Sequence, residues 1–268
     1  MVIIVKHKSS PNFIQPALQV YQLTVNYDKT PVLWDVSLSV PSGNIVGVIG
    51  PNGAGKTTFV KTVLNLIKPI SGKVEFFGLP LKGMNHRVAY IPQKETVDWD
   101  FPITVLDLVL MGRYGRLGLF RRPRKADVEA AKHYLEVLGM SSFVERQISQ
   151  LSGGQQQRVF IARALLQEAD IYFMDEPFVG VDITTERVIV DLLHKLKADG
   201  KTIFIVHHDL GTVTSYFNWV IMLNMHLVAC GAVDEVFNEE TLQRAFKRSH
   251  TFLGEVAKLS QNKTSGIL

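Results

Sequence analysis

The chain has 268 residues, 46% of them apolar, and a formal net charge of +4. That length allows one large α/β domain or two small ones, with ample apolar content for a full core. A single cysteine, Cys230, excludes an intrachain disulfide and fits a reducing compartment. The positive charge is modest, and basic clusters such as Arg121-Arg122-Pro123-Arg124-Lys125 and Lys247-Arg248 permit contact with nucleic acid or acidic lipid without demanding it. The apolar start is too short for a secretion signal, and no window approaches the roughly 18 apolar residues of a membrane span. The chain is expected to be soluble by itself.

In chain order, Val36, Leu38 and Val40 alternate with Ser37 and Ser39, the period of a half-buried strand. Pro41-Ser42-Gly43 turns the chain, and Ile45–Ile49 is an apolar run suited to a strand covered on both faces. Gly50-Pro51-Asn52-Gly53-Ala54-Gly55-Lys56-Thr57 then satisfies G-x-x-x-x-G-K-[ST], with Thr58 following. Its glycines let backbone N–H groups turn around phosphate oxygens, and the following helix N-terminus adds partial positive charge. Lys56 would bridge the β- and γ-phosphates and the Thr57 hydroxyl would ligate Mg²⁺. All fixed positions and the strand–loop–helix context favour this reading over an ordinary glycine turn. Val60, Val63, Leu64 and Ile67 predict one helix face, stopped by Pro69.

Residues 93–150 change character, with few β-branched runs, several aromatics, a basic cluster and a helical stretch at 126–138. They read as a mostly helical subdomain inserted in the α/β core. Leu151-Ser152-Gly153-Gly154-Gln155 follows. Ser152 and Gln155 have capping-box spacing, so the motif could simply start a helix running to Leu166. The two intervening glycines argue instead for a backbone that something must approach closely. Residues 171–174 form an apolar strand ending in Asp175-Glu176-Pro177. Ligands of open parallel sheets sit at such carboxyl ends. Asp175 would hold Mg²⁺ and Glu176 would orient and polarise an attacking water, the alternative being a solvated strand end.

Ile189, Leu192, Leu193 and Leu196 mark a helix face ended by Gly200, and residues 203–206 are another strand. His207 and His208 follow it; neighbours on extended chain point to opposite faces, which argues against joint chelation of one metal. Residues 219–230 read as one buried strand, and residues after 248 as a polar tail. Strands alternating with helices predict a largely parallel sheet.

The phosphate loop followed by Leu151-Ser152-Gly153-Gly154-Gln155 resembles the ATP-binding-cassette (ABC) family of transport ATPases. The resemblance covers roughly residues 18–245 as a single ATPase domain, with 1–17 and 246–268 as terminal extensions. It implies an α/β P-loop NTPase fold: a core at 18–92 and 160–245 with a largely parallel sheet and an antiparallel β part, and a helical subdomain at 93–159. It implies ATP and Mg²⁺ as cofactors. Residues 50–58 would bind the nucleotide, and Tyr27 would stack on adenine, unless it is an ordinary strand aromatic. Gln93 would contact Mg²⁺ and the water, and His208, read as the switch histidine from its place before Asp209, would hold the water–Glu176 geometry. Ser152, Gly153, Gly154 and Gln155 would face the γ-phosphate of a second copy in a head-to-tail homodimer. Asp182 would contact that copy, although Val179-Gly180-Val181-Asp182 departs from the family's usual wording there.

Within the family, the interval from Gln93 to Leu151 is too short for the coiled coil of chromosome-maintenance members, and the chain holds one cassette without membrane helices. It most resembles an importer's ATPase subunit, held peripherally on the cytoplasmic face by separate permease proteins, with an extracytoplasmic solute-binding protein in the same system and no nucleic acid. Val97-Asp98-Trp99-Asp100-Phe101-Pro102 and Val109-Leu110-Met111-Gly112-Arg113-Tyr114-Gly115 are similar to cassettes of the manganese, zinc and iron importers. The permease seat would lie in residues 96–119, where Trp99, Phe101 and Tyr114 either line it or pack the subdomain. Import of another small solute, and a regulatory ATPase without a permease, are the alternatives.

Overall fold

The computed structural model describes residues 3–4, 15–27, 30–93, 99–118 and 121–246. In chain order these form β1 (Ile3–Ile4), β2 (Leu18–Tyr27), β3 (Thr30–Val40), β4 (Ile45–Ile49), α1 (Lys56–Val63), β5 (Ser71–Glu75) and β6 (Val88–Ile91). The helical stretch follows: α2 (Val105–Leu110), α3 (Tyr114–Leu117), α4 (Lys125–Val137) and α5 (Gly153–Leu166). The remainder is β7 (Ile171–Asp175), α6 (Ile183–Ala198), β8 (Thr202–Val206), α7 (Val213–Tyr216), β9 (Trp219–Asn224), β10 (His226–Ala232), α8 (Val233–Val236) and α9 (Glu239–Phe246).

Two sheets result. The larger has the order β1-β10-β9-β4-β8-β7-β6, and the smaller is β3-β2-β5. From β9 to β6 every pairing is parallel, while β10 runs antiparallel to β9 and the smaller sheet is wholly antiparallel. The expected parallel core with an antiparallel β part is therefore present, and the helices α2 to α5 fall between its two halves.

Period-2 alternation sorts the core strands onto two faces. Ile45, Ile49, Tyr172, Met174, Ile203 and Ile205 pack into a cluster with α2, α4, α5 and α6. Val46, Val48, Ile171, Phe173, Phe204 and Val206 pack on the other face against Leu23, Leu33 and Phe59. Both faces are covered, which is why these strands read as continuous apolar runs.

Three expectations change. The helix after the phosphate loop ends at Val63, because Asn65 takes a φ of 57° that an α-helix cannot hold. Leu64 and Ile67 still pack on the core from the turn that follows. Residues 219–230 are not one strand but a hairpin turning at Met225, with φ 58°, so β10 pairs back along β9. The segment before residue 18, expected as an extension, supplies β1, with Ile3 and Ile4 opposite Ala229 and Cys230. α5 runs unbroken through positions 159 and 160, with Val159 and Phe160 both buried. Residues 247–268 lie outside the described residues. No described helix is long and apolar enough to cross a membrane.

Phe173 joins the two sheets. Its ring stacks on Phe204 at 4.6 Å and meets Phe76 edge-on at 6.2 Å, and it is fully buried. Phe173→Ala leaves a cavity between the layers and is expected to cost about 3–5 kcal/mol in chemical unfolding.

Candidate active site

The parallel register aligns the carboxyl ends of three strands. Val48 lies opposite Val206, which lies opposite Asp175. Gly50, His207 and Glu176 are the first residues beyond the ends of these neighbouring strands.

The loop after β4 depends on two glycines. A Cβ at Gly50 would stand 2.1 Å from Leu223 O, and one at Gly55 would stand 2.7 Å from Leu33 Cδ2, with φ at 154° and 88° respectively. The loop is thus pressed between β9 and β3. α1 starts at Lys56 without an acidic residue in its first turn, so its N-terminal partial charge is not cancelled. Lys56 is buried, and its ammonium donates to Gly50 O at 2.8 Å and Pro51 O at 2.9 Å. Burial pushes its pKa down, against the pull of Glu176 and Asp175.

Asp175 is fully buried at the end of β7. Its Oδ1 accepts from Thr57 Oγ1 at 3.1 Å, while Oδ2 has no hydrogen-bond partner among the described residues. Burial raises the Asp175 pKa, opposed by the Thr57 hydroxyl. An orphaned buried carboxylate oxygen is costly, and a cation or a hydrogen-bond donor would satisfy it.

Glu176 sits beside it with φ 55°, a left-handed conformation that costs a non-glycine residue about 1–2 kcal/mol. Strain of this kind gathers at functional sites. One carboxylate oxygen accepts from Gln93 Nε2 at 3.3 Å, and the other is hydrogen-bonded to His208 Nε2. A cavity of about 260 Å³ lies in front of these groups, lined by Val32, residues 52–58, Glu176 and His208.

The two histidines face different surroundings. His208 reaches Glu176 with its side chain 40% exposed. His207 is buried, its Nε2 2.7 Å from Thr212 Oγ1 and its ring 5.2 Å from Phe217. Thr212 Oγ1 also donates to Asp209 O at 3.2 Å, so His207 locks the turn that carries His208. Burial pushes the His207 pKa down.

Ser152, Gly153, Gly154 and Gln155 do not line this cavity. Ser152 caps α5: its Oγ accepts from Gln155 N at 3.4 Å, and Gln155 Oε1 accepts from Ser152 N at 2.9 Å. Both halves of the capping box are made. Asp182 caps α6, accepting from Thr185 N at 2.9 Å and Thr185 Oγ1 at 2.8 Å, bonds that hold its carboxyl below the usual range. Tyr27 pairs with Thr30 through the backbone, and its side chain lies outside the described residues. Val32 and the lock at His207 were not read from the sequence. Val32 reaches the loop only through the packing of β3, which has no local signal; His207 had one, its place on the inward face of the strand.

Fold, loop and carboxylate pair together define a P-loop nucleoside triphosphatase. The sequence profile of the ABC transporter family matches residues 33–179. The chain is 56% identical over 231 residues to the manganese transport system ATP-binding protein MntB of Bacillus subtilis (strain 168), spanning 86% of this chain and 92% of that one. It is 55% identical over 230 residues to the zinc transport system ATP-binding protein TroB of Treponema pallidum (strain Nichols), spanning 86% of each. Among solved structures, a metal-chelate type ABC transporter in an inward-facing conformation is similar with a TM-score of 0.75 at 28% identity, over 87% of this chain and 89% of that one. An ATP-binding cassette in its ADP conformation gives 0.69 at 26% identity, over 85% and 97%. The chain belongs to the ABC transporter family, as an ATP-binding, ATP-hydrolysing subunit.

Asp175 links the site to stability. Its folded pKa lies above its unfolded value, so its charge is a penalty that is full above the folded pKa and fades as pH falls to the unfolded one. Asp175→Asn, which keeps the acceptor for Thr57, is expected to raise the thermal midpoint of the nucleotide-free protein at pH 7. That gain should shrink towards zero as the pH approaches ~4, the ordinary aspartate range.

Proposed function

We propose that this chain powers the import of a divalent metal ion through separate membrane permease subunits. The observation that carries the reading is Glu176, strained and held from both sides by Gln93 and His208 at the mouth of the phosphate-loop cavity. The metal cargo is supported by the manganese and zinc transport systems named for the two relatives.

In this reading residues 18–245 act as one ATPase unit with a helical subdomain at 93–159. Backbone N–H groups within residues 50–58, Pro51 excepted, would cradle the triphosphate, and Lys56 would turn from the loop carbonyls to the β- and γ-phosphate oxygens. Tyr27 would stack on adenine, as the family resemblance implies. Thr57, Gln93 and Asp175 would hold Mg²⁺, a role that the orphaned Asp175 Oδ2 fits. Bound there, the ion would neutralise charge on the phosphate oxygens. Glu176 takes the proton of the attacking water, while His208 and Gln93 keep its carboxylate aimed.

A second copy closes the site. Ser152, Gly153 and Gly154 stand outside their own cavity, which supports a role over the γ-phosphate of a head-to-tail partner. Gly154 lies against the loop before Asp182, a Cβ there standing 3.5 Å from Gly180 O, so the two segments meet the partner together. Gln155 and Asp182 serve that contact through the helices they cap. ATP binding draws the copies together, hydrolysis releases them, and the permease feels both.

Phe101 and Tyr114, 58% and 49% exposed, offer apolar surface for the permease. Trp99 packs instead on Phe160 at 5.1 Å and holds the subdomain together. Residues 96–98 and 119 of that seat lie outside the described residues. Held by the permease, the chain sits on the cytoplasmic face of the membrane, and a solute-binding protein delivers the metal from the other side.

A polytopic permease co-purifying with this chain from solubilised membranes, together with loss of manganese or zinc accumulation when the chain is deleted, tests the transport reading. Salt-sensitive recovery with nucleic acid instead would defeat it. Glu176→Gln is expected to keep ATP binding and trap a dimer on gel filtration while hydrolysis falls about 10²–10⁴-fold. Ser152→Ala should weaken ATP-driven dimerisation and leave ATP affinity of the monomer within about twofold; equal damage to both would remove its action in trans.

A further inference from the structure

α5 begins at the Ser152 cap and ends at a junction that the chemistry above leaves without a task. Arg163 Nη2 donates to Tyr90 O at 3.2 Å, and its guanidinium lies 4.6 Å from the Phe160 ring centroid. Gln167 Nε2 donates to Val88 O at 2.8 Å and Asn85 O at 3.0 Å. These contacts grip β6, the strand that leads to Gln93.

Glu168 binds a different element. Its Oε1 accepts from Arg113 Nη2 at 2.7 Å, its Oε2 from Arg116 Nη1 at 2.8 Å, and its carbonyl from Arg116 Nη2 at 2.8 Å. Arg113 Nε lies 3.1 Å from Asp127 Oδ1 at the start of α4, and the Arg113 side chain is only 12% exposed. Two guanidinium groups on one carboxylate form a charge-assisted, oriented contact that lysines could not reproduce. Glu168 itself takes φ 53°, which turns its carbonyl towards Arg116. The Arg113 guanidinium holds its carboxyl below the ordinary range.

The gripped segment, residues 111–117, lies directly on α5: a Cβ at Gly112 would stand 2.2 Å from Arg163 O. It also carries the exposed Met111 and Tyr114. The same few residues thus bear the apolar surface offered to the permease and the arginines that hold Glu168.

We propose that Glu168 is the positioning residue that couples permease docking to the nucleotide site. Through Arg113 and Arg116 it makes residues 111–117, α5 and β6 move as one body. A displacement at the docking segment then reaches Ser152 at the far end of α5 and Gln93 at the end of β6. Glu168 does not line the phosphate-loop cavity. The inference rests on the transport reading given above.

The test uses the full complex in proteoliposomes, with Mn²⁺ or Zn²⁺ as cargo, whichever the parent complex accumulates. Glu168→Gln, Arg113→Gln and the double variant are compared for hydrolysis by the isolated chain, hydrolysis with the permease, and metal taken up per ATP. Isolated-chain hydrolysis should stay within about twofold, while permease stimulation and uptake per ATP fall about tenfold in either single variant. The loss in the double variant should be smaller than the two single losses combined, since both single variants remove the Arg113–Glu168 contact. Glu168→Asp, which keeps the charge, should recover part of the coupling. Unchanged uptake per ATP in Glu168→Gln overturns the proposal, and so does a parallel loss of isolated-chain hydrolysis, which would mean the contact only supports folding. Should Glu168→Gln fail to fold, Arg116→Gln, on the 40% exposed side of the cluster, carries the same expectation. A parent complex that shows no stimulation by the permease overturns the transport reading itself, independently of the variants.

Discussion

The hydrogen bond from Thr57 Oγ1 to Asp175 Oδ1 ties the first helix to the middle of the parallel sheet, and the site is arranged around it. It exists because β4 and β7 run in the same direction on either side of β8. Their carboxyl ends meet, so a hydroxyl at position 57 and a carboxylate at position 175 become neighbours. The carboxylate is fully buried and half-partnered, an arrangement that a folded chain tolerates only where its surroundings hold it firmly. The stacked rings of Phe173 and Phe204, two residues back along β7 and β8, supply that firmness.

Several costs collect at this edge. Lys56 is buried with its charge, Asp175 is buried with one oxygen unpaired, and Glu176 is twisted into a left-handed backbone. Each is unfavourable alone, and each leaves a group ready for a highly charged phosphate substrate and its counter-ion. His207 does the opposite. Seated among Phe178, Tyr216 and Phe217 and bonded to Thr212, it makes the turn rigid so that His208 can lean on Glu176.

α5 connects the two halves of the molecule. Its N-terminus is the capped turn that would face a second copy; its C-terminus holds β6 and residues 111–117 through Arg163, Gln167 and Glu168. A helix of this length is stiff along its axis, so what happens at one end is felt at the other.

The sequence alone determined the strand–loop–helix that starts at residue 45 and the acidic strand end at 175–176, and offered the capping box at Ser152 as one of two readings, because each is a local pattern whose residue types follow from backbone sterics or hydrogen-bond reach. It also separated His207 from His208, since alternation along an extended chain is a local property. It missed the reversal at Met225 and the early end of α1 at Val63, where single left-handed residues interrupt otherwise unbroken apolar runs. Only the tertiary structure decided that Asp175 is buried with a free oxygen, that Val32 lines the cavity, that Asp182 spends its carboxylate on a helix cap, and that Glu168 holds two arginines more than fifty positions away. Those facts depend on which distant segments are packed together, and neither residue type nor spacing encodes that without the fold.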